Sequence, residues 1–256
     1  MLPKNACQFQ VWITPSRVMT DATTRIIIML YLHLLQQQPH KKWVLWLVDY
    51  EAAFLNAELD EEAEIYVEYP KGMVELGYMS QEEADTHVAR LATSMYGTVD
   101  ASLRWNITVT KHKVEKLKME QSLTDPCVVY KKWNNATELI TGMNVDDTFL
   151  LATEEKANWF VKEISKRFTI IVQKTVKKHL GVDYEWGQDE QGPYANASMK
   201  EYQDDIWQTY ERIKKKSIRK WETPGYPGTT LVKGDHEEEL DGTDYRHIVG
   251  KAMFWN

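Results

Sequence analysis

Cysteine is nearly missing from this chain of 256 residues, which has only Cys7 and Cys127. Two thiols are too few for a disulfide framework or a zinc cluster, and the pattern fits a reducing compartment. No signal peptide is legible, so the sequons at Asn106, Asn135 and Asn196 read as chance. A membrane span is missing as well. The nearly continuous apolar stretch Ile26 to Leu35 is too short to cross a bilayer and is interrupted by His33, which reads as a core or edge histidine. Nor is there a positive excess: the net charge is -7, awkward for a nucleic-acid partner. The charge is bunched, however, with acids at Glu58 to Glu68 and Asp235 to Asp244 and bases at Lys174 to Lys178 and Lys214 to Lys220. Either basic run alone reads equally well as a solvated helix face. At 43% hydrophobic and 27% charged the composition is that of a soluble globular protein with one sizeable core or two modest ones.

What is present centres on Leu139 to Ala152, LITGMNVDDTFLLA, two short apolar runs flanking Asp146 and Asp147. The runs have strand length and little helical period, so they predict a hairpin with Asp-Asp at the bend. Asp is common in turns for structural reasons alone, because its side chain hydrogen-bonds nearby backbone. A second apolar run, Trp43 to Val48, also ends on a carboxylate, Asp49. Carboxylates at the edge of a core are costly unless paired or holding a cation, so two core strands ending in Asp point to a shared partner. Mg²⁺ is the natural candidate, since it takes one or two carboxylates together with substrate phosphates.

Around these strands, Met1 to about Ser16 has no clear period. A helix follows, capped by Thr20 or Asp21 and closed by Pro39. Further on come a helix near Trp105 to Lys118, a strand at Val128 to Lys132, a helix at Glu154 to Arg167 and a strand near Phe168 to Val172. Thr153 is placed to cap the second of these helices, whose apolar stripe is Ala157, Phe160, Ile164 and Phe168.

Asp49 is followed by Ala53, Phe54, Leu55, Asn56, Leu59, Ile65, Tyr66, Pro70 and Gly72 in an order that resembles the reverse transcriptase of copia-type retrotransposons, whose first catalytic Asp opens such a run. Ser94-Met95-Tyr96-Gly97 is similar to the family's S-L-Y-G, Asp125-Pro126-Cys127 to D-P-C and Asn144-Val145-Asp146-Asp147 to Y-V-D-D. Leu180-Gly181, Thr223-Pro224 and Tyr245-Arg246 with Ile248-Val249-Gly250 continue the series across nearly the whole chain.

The resemblance implies an α+β fold: a polymerase palm of split β-α-β type, with an antiparallel sheet carrying helices on one face, partial fingers and a small helical thumb. It implies a loose arm over residues 1–19, fingers and palm over 20–198, and the start of a thumb or connection over 199–256. Asp49, Asp146 and Asp147 would be the catalytic set, holding two Mg²⁺ ions with the carbonyl of Tyr50 as a further ligand. Phe54 would lie under the nucleotide sugar and exclude a 2′ hydroxyl, although without the resemblance plain core packing is the favoured reading. Asp100 falls near the incoming nucleotide. Leu180 and Gly181 would hold the primer end. A helix with Tyr202, Ile206, Tyr210 and Ile213 on one face would run into Lys214, Lys215, Lys216, Arg219 and Lys220, which would contact the phosphates of primer and template.

The departures from the family are specific. Asn144 replaces Tyr, Asp100 replaces Gln, His179 replaces Phe, and no basic fingers ribbon precedes the first Asp. They predict very low or absent activity, because a carboxylate near a triphosphate repels it. The implied partners are an RNA or DNA template with its primer, deoxynucleoside triphosphates, no membrane, and the remainder of a polyprotein (integrase, ribonuclease H), since the chain ends at Asn256 soon after the last match. The implied location is cytoplasmic, within a virus-like particle of the element. A catalytically silent remnant that at most binds nucleic acid is the second reading. A metal-dependent nuclease is a third, which leaves Phe54 and the thumb without a role.

Overall fold

The computed structural model describes residues 18–59, 64–214, 246 and 249–251. The expected N-terminal arm therefore lies almost wholly outside the described residues, as do Lys215, Lys216, Arg219, Lys220 and the acidic run from Asp235. The chain divides into two compact units, Met1–Val176 and Lys177–Asn256.

The first unit begins with helix α1 (Asp21–Gln37), whose N-cap Thr20 accepts from the Thr23 amide. Strand β1 (Trp43–Tyr50) leads into a single 3-10 turn at Ala53–Asn56. Strands β2 (Tyr66–Val67) and β3 (Ala89–Arg90) pair around helix α2 (Gln81–Thr86). Next come helix α3 (Ala101–Glu115), β4 (Glu120–Gln121), β5 (Val128–Trp133), β6 (Ala136–Asn144), β7 (Asp147–Thr153), α4 (Glu154–Ile164) and β8 (Ile170–Gln173). One antiparallel sheet of six strands runs β4-β5-β6-β7-β1-β8, so the two Asp-bearing strands are neighbours in its interior.

Trp46, Val48 and Tyr50 of β1 and Leu150 and Ala152 of β7 bury with Trp105 and Val109 of α3 and Ala157, Phe160 and Ile164 of α4. A helix also covers the other face, where the sequence predicted none. A methyl group on Gly142 of β6 would stand 2.3 Å from Met19 Sδ and 2.7 Å from Ile27 Cδ1, so the N-terminal segment and α1 lie directly on that strand. The reason is legible in β1 itself. Leu45 and Leu47 point opposite to Trp46 and Val48, and all four are buried, so both faces of the sheet need cover. Two smaller expectations also change. His33 is exposed, and Thr153 stands at the N-cap of α4 without a side-chain cap bond.

The second unit holds strands β9 (Lys178–His179), β10 (Val182–Asp189) and β11 (Gly192–Ser198) in a three-stranded antiparallel sheet, followed by helix α5 (Lys200–Lys214). The buried position on α5 is Thr209, with Tyr202, Ile206 and Ile213 half-buried. Tyr210, expected on the apolar stripe, is 38% exposed. The basic run Lys174 to Lys178 is no helix face: it leaves β8 as loop and ends in β9. Among the described residues no helix is long and apolar enough to cross a membrane.

Candidate active site

The register between β1 and β7 pairs Leu47 with Phe149, Val48 with Thr148 and Asp49 with Asp147. Residues directly opposed in an antiparallel ladder carry their Cβ atoms about 4.5–5.5 Å apart on the same face, so these two carboxylates are neighbours. Asp146 joins them through the backbone, its carbonyl accepting from the Tyr50 amide at 3.2 Å. The bend lies one residue earlier than the sequence suggested. Val145 and Asp146 form the turn, while Asp147 is already in β7 and paired with Asn144. Thr148, Leu150 and Ala152 are buried on the α3/α4 side and Phe149 and Leu151 on the opposite face, so a shift by one residue would exchange two differently shaped buried sets.

Val145 has φ of 56°, a left-handed conformation that a β-branched residue rarely adopts. The turn is held there by a residue the sequence reading passed over. Trp105, fully buried on α3, donates its Nε1 proton to the Val145 carbonyl at 2.9 Å. The sequence marks it only as the start of the helix near Trp105 to Lys118.

The crowding shows in the acids. Burial, then the neighbouring charges of Asp146 and Asp49, raise the Asp147 carboxyl to about 6. Burial, then Asp146 and Glu51, push Asp49 upward as well. Among the described residues, no group of three or more His, Cys, Asp or Glu side chains is gathered to hold an ion unaided. Mg²⁺ does not need one, since it binds through one or two carboxylates and completes its shell with water and phosphate oxygens. Hard oxygen donors held against their mutual repulsion fit such a cation.

The other expected residues of the first unit fall around this end. The Tyr50 ring is fully buried, edge-on to Trp105 and Phe168, and burial drives its hydroxyl pKa well up. Only its main chain is therefore left to meet a cation. Phe54 lies in the 3-10 turn after β1, half-buried against the core. That turn is clipped by Asn56, whose Nδ2 donates to the carbonyls of Glu51 at 3.2 Å and Ala52 at 3.0 Å. Asp100 precedes α3, and its carboxylate accepts from Arg104 Nε one turn on. The sequence reading had this acid facing a triphosphate unopposed, whereas a guanidinium already counters it. Asn144, in place of the family's Tyr, is buried and bridges to Val18. Asp125 of the D-P-C match has a structural role, accepting from Thr23 Oγ1 at 2.6 Å and from the Cys127 amide at 2.9 Å and so tying α1 to the start of β5.

In the second unit Leu180 and Gly181 form the two-residue turn between β9 and β10, with φ of 48° and 79°. Positive φ at both positions is the turn geometry that tight hairpins favour, and it suits glycine far better than leucine. His179 is buried, which lowers its pKa to about 4, so the neutral imidazole fills the position where the family has Phe. Lys214 ends α5, and Lys215, Lys216, Arg219 and Lys220 lie outside the described residues.

Fold and site together define an α+β protein with an antiparallel central sheet and a carboxylate-bearing end shared by neighbouring strands. Over residues 18–216 the chain matches the family described as reverse transcriptase (RNA-dependent DNA polymerase), and it belongs to that family. It is also 27% identical over 108 residues to the retrovirus-related Pol polyprotein from transposon TNT 1-94 of Nicotiana tabacum. That match covers 42% of this chain and 8% of the polyprotein, so the chain spans only a small part of that relative's length. The copia-type resemblance of the motifs agrees with both.

Proposed function

We propose that this chain is the RNA-directed DNA polymerase domain of a copia-type retrotransposon polyprotein, extending a primer on a template from deoxynucleoside triphosphates. The observation that carries this reading is the pairing of Asp49 with Asp147 across β1 and β7, with Asp146 at the adjoining turn. In the proposed reaction the primer 3′ oxygen attacks the α-phosphorus, a new O–P bond forms, the bond to the β-phosphate breaks, and pyrophosphate and the hydroxyl proton leave. Asp49 and Asp146 would hold two Mg²⁺ ions, with Asp147 and the Tyr50 carbonyl beside them, and such ions acidify the hydroxyl and neutralise the triphosphate.

The chain's own residues supply placement. Trp105 fixes the turn that carries Asp146, and Asn56 fixes the turn that carries Phe54. Phe54 would pack under the sugar and reject a 2′ hydroxyl by contact. Asp100, neutralised by Arg104, would border the nucleotide. Leu180 and Gly181 would present a main-chain turn to the primer end, and Lys214, Lys215, Lys216, Arg219 and Lys220 would meet backbone phosphates without reading bases. The fingers, palm and thumb divisions over residues 20–198 and 199–256, the partners elsewhere in a polyprotein and the cytoplasmic, particle-bound location belong to this same proposal.

A second reading, a silent remnant that binds nucleic acid only, is favoured by one observation: the buried Asn144 stands beside the acids where the family has Tyr. Primer extension on an RNA template with Mg²⁺ and deoxynucleotides separates the two. Extension that disappears in Asp146→Asn supports the polymerase, and duplex binding without extension supports the remnant.

A further inference from the structure

Phe54 does not stand alone. Its ring meets that of Tyr96 at a centroid distance of 4.7 Å and an interplanar angle of 44°. The two rings come from separate segments, each closed by its own bonds. Asn56 clips the turn carrying Phe54. Thr98 closes the loop carrying Tyr96, its amide and Oγ1 both donating to the Met95 carbonyl, at 3.1 and 2.9 Å, around Gly97 with φ of 95°. The amide of Ser94 then donates to the carbonyl of Ala57 at 3.1 Å, which fastens one segment to the other.

Tyr96 is 53% exposed, so it does little to fill the core. What it does is cover Phe54. A half-buried aromatic ring with one open side can swing among rotamers, and a second ring against it removes that freedom. A residue that rejects a substrate by contact must hold its position closely, since the cost of a clash disappears once the ring swings aside. Resting on the polymerase reading above, we propose that Tyr96 is a positioning residue. It fixes the Phe54 ring and so sets the discrimination between deoxyribonucleotides and ribonucleotides.

The test is single-turnover incorporation of dTTP and UTP, followed over long times on a primed RNA template. It compares the unmodified chain with Tyr96→Ala, Tyr96→Phe, Phe54→Val and the double variant Tyr96→Ala/Phe54→Val. Tyr96→Ala should narrow the preference for dTTP about fivefold, the scale of one aromatic contact, by admitting UTP while leaving dTTP nearly unchanged. Tyr96→Phe should retain the preference, because the ring and not the hydroxyl covers Phe54. The double variant should be no less selective than Phe54→Val alone, as expected when one residue acts through the other. An unchanged preference in Tyr96→Ala overturns the inference, as does equal slowing of both nucleotides. Should Tyr96→Ala fail to fold, judged by circular dichroism, Tyr96→Leu keeps the bulk without the ring and carries the same expectation. If the unmodified chain incorporates neither nucleotide, the polymerase reading falls and this inference with it. Incorporation with unaltered selectivity in the variants overturns this inference alone.

Discussion

Asp49 and Asp147 are direct partners in the β1/β7 ladder, so two acids face each other where the surrounding pairs are apolar or neutral. Like charges placed this way destabilise a sheet. Burial first, and then neighbouring carboxylates, raise both carboxyls: Asp146 and Asp49 act on Asp147, and Asp146 and Glu51 act on Asp49. The arrangement costs stability in the absence of a cation, which makes it measurable apart from catalysis.

For Asp147 the sign is clear. Its folded-state value, about 6, is above the unfolded one, so its favourable contribution is present below the unfolded value and is lost as pH rises through about 6. Asp147→Asn should therefore raise the unfolding free energy at pH 7 by about 1 kcal/mol, allowing for solvent screening. At pH 4 it should change it little. Urea unfolding at the two pH values reads both, and a loss of stability at pH 7 would count against mutual repulsion.

Lys113 of α3 behaves in the opposite sense. It is buried, with its Nζ 3.5 Å from Thr148 Oγ1 and over the rings of Tyr50 and Phe160. Burial lowers its pKa from 10.5 to about 7. Between those values the unfolded chain binds more protons, so this residue makes stability rise with pH from about 7 toward 10. Lys113→Met should remove that rise and stabilise the protein at pH 6 by about 1–3 kcal/mol, as replacement of a buried charge by an apolar side chain often does. A destabilised Met variant would show that the amine is better satisfied than its surroundings indicate.

Trp105→Phe keeps an aromatic ring in the core and deletes one hydrogen bond to the Val145 carbonyl. Loss of that bond should cost about 1–2 kcal/mol of stability and relax the left-handed turn that carries Asp146. Thermal unfolding reads the first effect. Weaker Mg²⁺ binding, followed by titration calorimetry, reads the second.

Asp100→Gln restores the side chain the family carries, yet the pairing of Asp100 with Arg104 limits the gain. An exposed or half-exposed ion pair of this kind is worth about 1 kcal/mol or less. Extension should therefore rise less than about tenfold. A larger increase would mean that the Asp100 charge reaches the triphosphate despite its partner.

The sheet and its acids were legible because β1, β6 and β7 are apolar runs of strand length, and because a run ending in Asp is rare without a reason. What could not be read were features set by tertiary contacts. The cover of α1 over Gly142 and the bond from Trp105 to Val145 each join residues whose types permit many partners. The pairing of Asp100 with Arg104 is local, four residues apart, and its spacing stood in the sequence. The displaced bend follows the logic of the first two. Asp-Asp is a good turn sequence, but the register is decided by which side chains of β7 must face α3 and α4, and that demand moves the turn to Val145-Asp146. His179 also read as damage, because a polar residue type stood in an apolar place. Burial keeps the ring neutral, so the substitution is milder than its chemistry suggests.

The central claim, that Asp49, Asp146 and Asp147 form a cation site for nucleotidyl transfer, is tested most directly by single-turnover primer extension on an RNA template with Mg²⁺, comparing the unmodified chain with Asp146→Asn. Extension should be slower than about 1 s⁻¹, below the ordinary range for enzymes, because Asn144 replaces the family's Tyr. This slow extension should be lost in Asp146→Asn. Extension that survives Asp146→Asn undiminished, or tight duplex binding by the unmodified chain with no extension at all, would contradict it.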